Sequence, residues 1–423
     1  MSERRGLIGL VTAVGISTLG TRMSTLALPW FVLTTTGSPT QTGLVAAAEM
    51  TPYVVVQGLG GPLVDRVGAW RICVLTDIAA AVLFGAIPLL HAFGALPIGA
   101  LVPLVMAAGA LRGGGDAARY VLLPGVRETA GTPIERAAGL YDGVSRGASL
   151  VGAPLAGVLI GVTSALNVLA LDAASFLVSA ALVATLVPRS AEPGPSAAGG
   201  ESPASYLASL GEGFRYLRAD RLLMGIGLMV MVTNLLDQAS SAVLTPVWAK
   251  DVAHSSVALG LIGGVFSAGA VVGNITTTWL GHRLPRRRTY AVGFLLAGSP
   301  RMFAMALAAT VSPVLVACVV GGLAAGAINP ILGSIEYERV PRPLQARVLG
   351  VLGATAWAGI PFGALTGGAL TEVLGIRTAL AVTAAAYLVT TLAPFVLPAF
   401  RAMDRVDHTG EPVGPEEPAL AAR

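Results

Sequence analysis

The chain has 423 residues, of which 54% are hydrophobic and only 12% are charged, and its mean hydropathy is +0.75. A soluble domain has about twice that charged fraction, so the composition excludes an ordinary water-soluble protein. The positive charges are nearly all Arg and are spread over short loops, which favours membrane orientation over binding to nucleic acid.

Apolar runs of about 20 residues predict membrane-spanning helices along the whole chain. The first run follows Arg4 and Arg5 as in a signal peptide, but its length predicts a retained span. The fold class is therefore an all-α membrane protein with twelve transmembrane helices. The predicted spans are 6–34, 40–63, 72–91, 95–121, 137–161, 164–187, 221–247, 256–281, 289–310, 313–335, 347–371 and 374–398.

The chain divides near its middle at a segment rich in Pro, Gly and Ser. Residues 1–187 are predicted to form one six-helix bundle and residues 221–400 a second one. Between them, 188–220 is predicted to be a linker with an amphipathic helix, and 401–423 a disordered tail. The halves also repeat at a constant offset, because Arg136 recurs as Arg347, Gly139 as Gly350 and Gly157 as Gly368. Such a parallel repeat predicts two pseudo-symmetric bundles with a substrate site between them.

Loop charge predicts the orientation of the chain. Alternate loops contain nearly all the Arg residues, including the cluster at 283–288, whereas the opposite loops contain only Lys250 and Arg377. Positively charged loops stay in the cytoplasm, so both termini and the linker are predicted to be cytoplasmic.

The loop between the second and third spans, "GPLVDRVGAWR", interrupts the apolar sequence with charge. Gly61 and Gly68 permit a tight turn, and Asp65 can accept hydrogen bonds or pair with an Arg. Such a contact could form in one transport state and break in the other. Alternatively, Arg66 and Arg71 only fix the topology.

This loop resembles the signature of the major facilitator superfamily, whose members use it as a conformational latch. The mirrored loop "WLGHRLPRRR" has Gly281 where the repeat would place the Asp. The segments "DAARYVLLPGVRE", "LTD" and "LDAASFLVSAALV" are similar to the branch that contains the enterobactin exporter and macrolide-efflux proteins, which are drug:proton antiporters. The resemblance implies two six-helix bundles, alternating access and no cofactor.

The fifth span is unusually rich in glycine. A four-residue spacing places small residues on one helix face and permits close packing, although a generic packed helix would show the same pattern. The segment also resembles the Gly/Pro motif of the family's antiporters, with Ala153 as a departure. The residues of the motif are Gly139, Gly143, Gly147, Gly152, Pro154 and Gly157.

Charges inside predicted spans are expensive and point to partners or function. Glu49 and Arg22 lie at comparable depth on neighbouring spans and could pair. Glu49 is the first candidate for the proton-carrying carboxylate and Asp237 the second, although a permanent structural pair is the alternative for Glu49. Arg112 resembles the family's fourth-helix Arg linked to proton transfer, and Arg301 has no obvious partner.

Other polar residues of the spans complete the predicted sites. Asp142 and Arg146 are four residues apart and could pair, and a hydrated structural role near the cytoplasmic rim is expected for Asp116 and Asp142. No His/Cys cluster predicts a metal site, and Cys73 and Cys318 are expected core residues. The candidates for the substrate cavity are Gln57, Asn234, Gln238, Asn274, Asn329 and Trp357.

The sequence therefore favours a membrane transporter over an enzyme. No nucleotide-binding loop is present, and the aspartyl-protease motifs occur in the wrong order. We expect a monomeric, proton-coupled exporter of hydrophobic or amphipathic molecules in the cell membrane. Proton-coupled uptake of a small nutrient and a non-transporting scaffold are the alternatives.

Overall fold

A computed structural model of the chain describes residues 4–189 and 203–404, and every regular element within those ranges is helical. The first half contains α1 (Arg5–Thr36), α2 (Pro39–Leu59), α3 (Gly61–Val67), α4 (Ala69–Ala92), α5 (Ile98–Thr129), α6 (Ile134–Val162) and α7 (Ala165–Leu186). Next come α8 (Pro203–Ala219), α9 (Arg221–Ala239), α10 (Thr245–Asp251), α11 (Ser256–Leu280), α12 (Arg286–Ala297) and α13 (Ser299–Leu307). The last are α14 (Val311–Gly326), α15 (Ile328–Arg339), α16 (Gln345–Trp357), α17 (Ile360–Leu374), α18 (Ile376–Thr391) and α19 (Ala393–Val396).

The predicted all-helical membrane fold is confirmed. Within the described residues, 11 helical segments are long and apolar enough to cross a membrane. The remaining predicted span is α2, which has 21 residues and a length of about 32 Å at 1.5 Å per residue. Its polar residues, Glu49 among them, lower its hydropathy, and its length still suffices for a bilayer crossing.

Parts of the predicted linker and tail lie outside the described residues. These are residues 190–202 of the predicted 188–220 linker and residues 405–423 of the predicted tail. The predicted amphipathic helix is present as α8, although the side chains of its first residues, Tyr206 and Leu207 included, also lie outside the described part.

The contacts divide the chain into two compact units. Unit 1 comprises Met1–Gly200, Gln238–Gly264 and Ile360–Ala379, and unit 2 comprises the rest. The units interleave along the sequence, so they do not test the predicted bundle boundaries at 187 and 221.

Unit 1 is held together by helix packing around α1, α2 and α4. The helix α1 packs against α6 and α7, α4 packs against α5 and α7, and α2 packs against α5 and α17. A buried cluster containing Phe31, Phe84 and Phe176 fills the space between α1, α4 and α7. Burial of these side chains fixes the positions of the helices that surround the cavity described below.

Unit 2 packs α12 against α14 and α15, and α8 against α16. Its core includes Tyr290, Phe294 and Phe400. The Asp220 carboxylate accepts hydrogen bonds from the backbone N–H groups at the start of α9 and from Arg339 Nε at 2.8 Å. The Tyr216 hydroxyl donates to the Arg339 carbonyl at 2.8 Å, and burial together with the nearby Asp220 charge raises the pKa of Tyr216. These contacts join α8 to α9 and α15.

Candidate functional site

A polar cavity of about 730 Å³ lies within unit 1. It is bordered by α1, α2, α5 and α6, together with Gln238 at the end of α9 and Ser241 and Ala242 just after it. Its charged lining residues are Arg22, Glu49, Arg112, Asp116 and Arg119. Since a charge costs several kcal/mol inside a bilayer, a cavity with five of them indicates a pathway for water, ions or solutes.

A buried ion pair joins α2 to α5 at this cavity. Arg112 donates a hydrogen bond from a terminal guanidinium nitrogen to Glu49 Oε1, and the two residues are only 7% and 4% exposed. The Tyr53 ring also lies 5.2 Å from the Arg112 guanidinium carbon, a cation–π distance. The predicted Arg22–Glu49 pair is wrong, because Glu49 pairs with Arg112.

Two glycines on α5 explain why this pair forms. A Cβ atom at Gly109 would collide with the Glu49 carbonyl oxygen, and one at Gly113 would lie 2.6 Å from the Tyr53 carbonyl oxygen. The backbones of α2 and α5 therefore approach closely where the ion pair lies. Residues 49, 53 and 57 on α2 and residues 112, 116 and 119 on α5 recur at helical spacing, so each set shares one face.

A second charged cluster continues along α5. The Tyr53 hydroxyl lies 3.3 Å from Asp116 Oδ2, and Arg119 donates to Asp116 Oδ1 at 2.9 Å. Arg119 also donates to Asp77 on α4, which accepts a further hydrogen bond from the Ser179 hydroxyl at 2.7 Å. One guanidinium is thus shared by two carboxylates. Asp77 is buried, whereas the Asp116 side chain is 41% exposed.

Arg22 lies at the cavity wall on α1. Its Nε donates to the Ser149 hydroxyl of α6 at 3.0 Å, and that hydroxyl donates to the Ser145 carbonyl at 2.9 Å. Among the described residues, no carboxylate lies within ion-pair distance of the Arg22 guanidinium.

A further buried carboxylate, Asp172 on α7, lies between α1 and α7. It accepts hydrogen bonds from the Ser24 and Ser175 hydroxyls. A Cβ atom at Gly20 would overlap Asp172 and Ser175, so the glycine provides the space for this contact. Asp172 is fully buried and does not line the cavity, which favours a structural role.

Unit 2 contains its own ion pair inside the predicted spans. Arg301 donates to Asp237 Oδ1 at 3.2 Å, and the Tyr387 hydroxyl lies 3.4 Å from Asp237 Oδ2. The Phe266 ring lies 4.9 Å from the Arg301 guanidinium carbon. Arg301, which has no obvious partner in the sequence, therefore pairs with Asp237, the second proposed proton site.

Two of the six predicted cavity residues, Gln57 and Gln238, line this cavity. The other four lie in unit 2. Asn234 donates to the Ala356 carbonyl at 2.9 Å, and Asn274 lies 3.5 Å from the Gly326 carbonyl. Asn329 and Trp357 are exposed.

Among the described side chains, Asp142 and Arg146 do not form the pair that their spacing allows, and both are exposed.

The predicted latch contains a short helix. Gly61 begins α3, so the prediction of a tight turn at Gly61 is wrong. The turn occurs instead at Gly68, whose φ is 98°. That dihedral favours glycine because a Cβ atom would clash with the backbone. Arg66 and Arg71 are exposed, and the side chain of Asp65 lies outside the described part. The latch function stays a prediction.

The glycines of α6 differ in their surroundings. A Cβ atom at Gly139, Gly143 or Gly147 would meet nothing within 4 Å. The predicted close helix packing is therefore wrong for these three glycines. Gly152 packs against Arg22 and Leu19, Gly157 against the backbone of Gly260, and Pro154 against Gly264. Helical spacing identified a shared face but not which part of it meets another helix.

The cluster around Asp116 is not apparent from the sequence alone. Arg119 and Asp77 lie in segments that carry the family resemblance, and Tyr53 has no predicted role. The signal lay in the spacing of 112, 116 and 119 on one helix against 49, 53 and 57 on another. Only the close approach of the two helices turns these spacings into a site.

Comparisons with known proteins agree with this architecture. The family model described as Major Facilitator Superfamily matches residues 10–244 and 226–421. The multidrug efflux pump Tap of Mycobacterium tuberculosis is 28% identical over 407 residues, covering 95% of this chain and 96% of that protein. Tap of Mycolicibacterium fortuitum is 27% identical over 410 residues, covering 95% and 98%.

Solved structures with 13–15% sequence identity have the same fold. A mutant form of the nucleoside transporter NupG has a TM-score of 0.73 and covers 94% of this chain and 100% of its own. A bacterial homologue of the human lysosomal transporter Spinster, in an inward-facing and unoccupied conformation, has a TM-score of 0.72 and covers 96% and 99%.

Proposed function

Because this chain belongs to the Major Facilitator Superfamily, we propose that it is a proton-coupled exporter of amphipathic small molecules. The efflux pumps among its relatives support export, and they align with nearly the whole chain. The observation on which the mechanism rests is the Glu49–Arg112 pair at the cavity wall.

Glu49 is suited to bind and release the coupled proton. It is buried among helices, and Arg112 is its ion-pair partner among the described residues. Protonating Glu49 removes the charge that neutralises Arg112, and an unpaired guanidinium at that depth is unfavourable. The protonation state of Glu49 therefore changes the energy of the α2–α5 contact. A change in that contact is the kind of local event that can bias a transporter between two conformations.

Export by antiport requires that proton and substrate compete. Substrate in the cavity lies against the same wall as the ion pair. In the proposed cycle, substrate binds to the form in which Glu49 is ionised and paired with Arg112. Proton entry neutralises Glu49 and promotes substrate release. Asp237 with Arg301 in unit 2 is proposed as a second proton site on the same reasoning.

The remaining features of the proposal come from the sequence. The arginine-rich loops support cytoplasmic termini, and we propose two six-helix bundles in a monomer that needs no cofactor. The loop from Gly61 to Arg71 is proposed as the conformational latch.

Reconstituted vesicles test the proton site. A pH gradient should drive accumulation of substrate dyes by the wild type, and Glu49→Gln should reduce the initial rate by about tenfold or more. Glu135→Gln is the matched control, because Glu135 is exposed at the start of α6 and outside the cavity. Gradient-driven accumulation by Glu49→Gln at the wild-type rate would contradict the proposal.

A further inference from the structure

The charges around the cavity of unit 1 are arranged in a way that bears on the substrate. The Glu49–Arg112 pair is internally neutral. The other charged groups at the wall are Arg22, Asp116 and Arg119, with Asp77 behind Arg119. The charge that a bound molecule meets is therefore set by Arg22 and by the shared Arg119 cluster.

The Arg22 side presents a fixed positive charge. The hydrogen bond from its Nε to Ser149 orients the guanidinium, and the terminal nitrogens have no carboxylate within ion-pair distance in the described part of the chain. Thr18, Thr21 and Thr25 line the same region of α1. A guanidinium with neighbouring hydroxyls is suited to a carboxylate or another planar anion.

The Asp116 side carries an excess of negative charge. One guanidinium, Arg119, is shared by two carboxylates, and the more exposed of these, Asp116, lines the cavity. Gln57 Oε1 also borders this region and is buried without a hydrogen-bond partner among the described residues. Tyr120 and Tyr141 form an edge-to-face pair with ring centroids 6.3 Å apart. Acceptor oxygens and aromatic rings together suit a positively charged organic group.

We propose that this cavity selects zwitterionic amphipathic molecules, with the anionic group at Arg22 and the cationic group at Asp116. The proposal rests on the function proposed above and specifies its substrate class. Arg22 and Asp116 are not within ion-pair distance of each other, and Asp116 shares its cation with Asp77, so the protein neutralises neither charge completely. A substrate with only a positive charge leaves Arg22 without a partner and is repelled by it. A substrate with only a negative charge leaves Asp116 without a partner and is repelled by that carboxylate.

Two rhodamine dyes test the selectivity because they differ by one carboxylate. Rhodamine 110 is a zwitterion, and rhodamine 123 is its cationic methyl ester. Binding to the purified full chain in nanodiscs is measured by fluorescence anisotropy. The wild type should bind rhodamine 110 about tenfold more tightly than rhodamine 123. Arg22→Gln should abolish this preference by weakening rhodamine 110 alone, and Asp116→Asn should weaken both dyes.

The control variant is Arg215→Gln, because Arg215 is exposed on α8 and does not line the cavity. It should retain the wild-type preference. Equal weakening of both dyes by Arg22→Gln, wild-type preference for the ester, or binding of neither dye would each overturn the proposal.

Vesicle transport of the same dyes separates this proposal from the function on which it rests. Gradient-driven transport of rhodamine 123 without preference for rhodamine 110 would reject zwitterion selectivity and leave the exporter intact. Selective binding of rhodamine 110 without gradient-driven transport of either dye would support the binding site and reject the exporter.

Discussion

Removing the shared guanidinium at Arg119 should be the most destabilising change to the polar cluster. Its side chain is 5% exposed, and Asp77, Asp116, Ser17 and Ser179 all lie within hydrogen-bond distance of it. Arg119→Gln leaves the Asp77 carboxylate buried without its cation.

The magnitude follows from the burial of each carboxylate. Breaking a buried pair by removing one partner costs about 3–5 kcal/mol. Asp77 retains the Ser179 hydrogen bond, and exposed Asp116 is hydrated, so its lost pairing adds little. We therefore expect Arg119→Gln to lower the free energy of unfolding by about 3 kcal/mol, at the lower end of that range.

Thermal unfolding in detergent, followed by size-exclusion chromatography, measures the effect. The melting temperature of Arg119→Gln should fall by about 3 °C, and adding Asp77→Asn should recover more than half of the loss because no unpaired buried carboxylate remains at this position. Arg127→Gln is the control, since the Arg127–Glu128 pair is partly exposed and should contribute less than about 1 kcal/mol. A double variant no more stable than Arg119→Gln would refute the buried-charge argument.

Three further changes test other contacts. Gly157→Val should abolish transport because its side chain would overlap the Gly260 backbone, whereas Gly143→Val, with open space around it, should retain transport in the same vesicle assay. Asp220→Ala removes the helix cap and the Arg339 partner, so the melting temperature should fall, and unchanged melting would contradict the assigned contacts. Arg301→Gln should reduce gradient-driven uptake into vesicles if its pairing with Asp237 supports proton coupling; an unaltered rate would remove this pair from the mechanism.

Hydropathy was sufficient to predict where the helical segments lie. Each apolar run is helical, including the run that contains α2, because backbone groups inside a bilayer must be hydrogen-bonded within the segment over about 20 residues. The second-half spans nevertheless contain interruptions that hydropathy could not detect. For example, Gly298 separates α12 from α13, and Ala327 separates α14 from α15.

The sequence identified several charges of the site, Glu49 among them, but not their partners, and it did not predict the cluster around Arg119. Counting residues gave Arg22 and Glu49 similar depths, but depth does not specify the direction in which a side chain points around its helix. Arg112 lies closer to Glu49 because Gly109 and Gly113 bring α5 against α2. The same limitation applies to Arg301 and Asp237, which are distant in sequence and meet through tertiary packing.

Proton movement driven by substrate tests the central claim most directly. Vesicles containing the protein are loaded with rhodamine 110 and a pH-sensitive dye, and then diluted into dye-free buffer of equal pH. Antiport predicts that the interior acidifies as substrate leaves, and that Glu49→Gln abolishes the acidification. Acidification at the wild-type rate in Glu49→Gln, or an interior that becomes alkaline because protons leave with the substrate, would contradict the account.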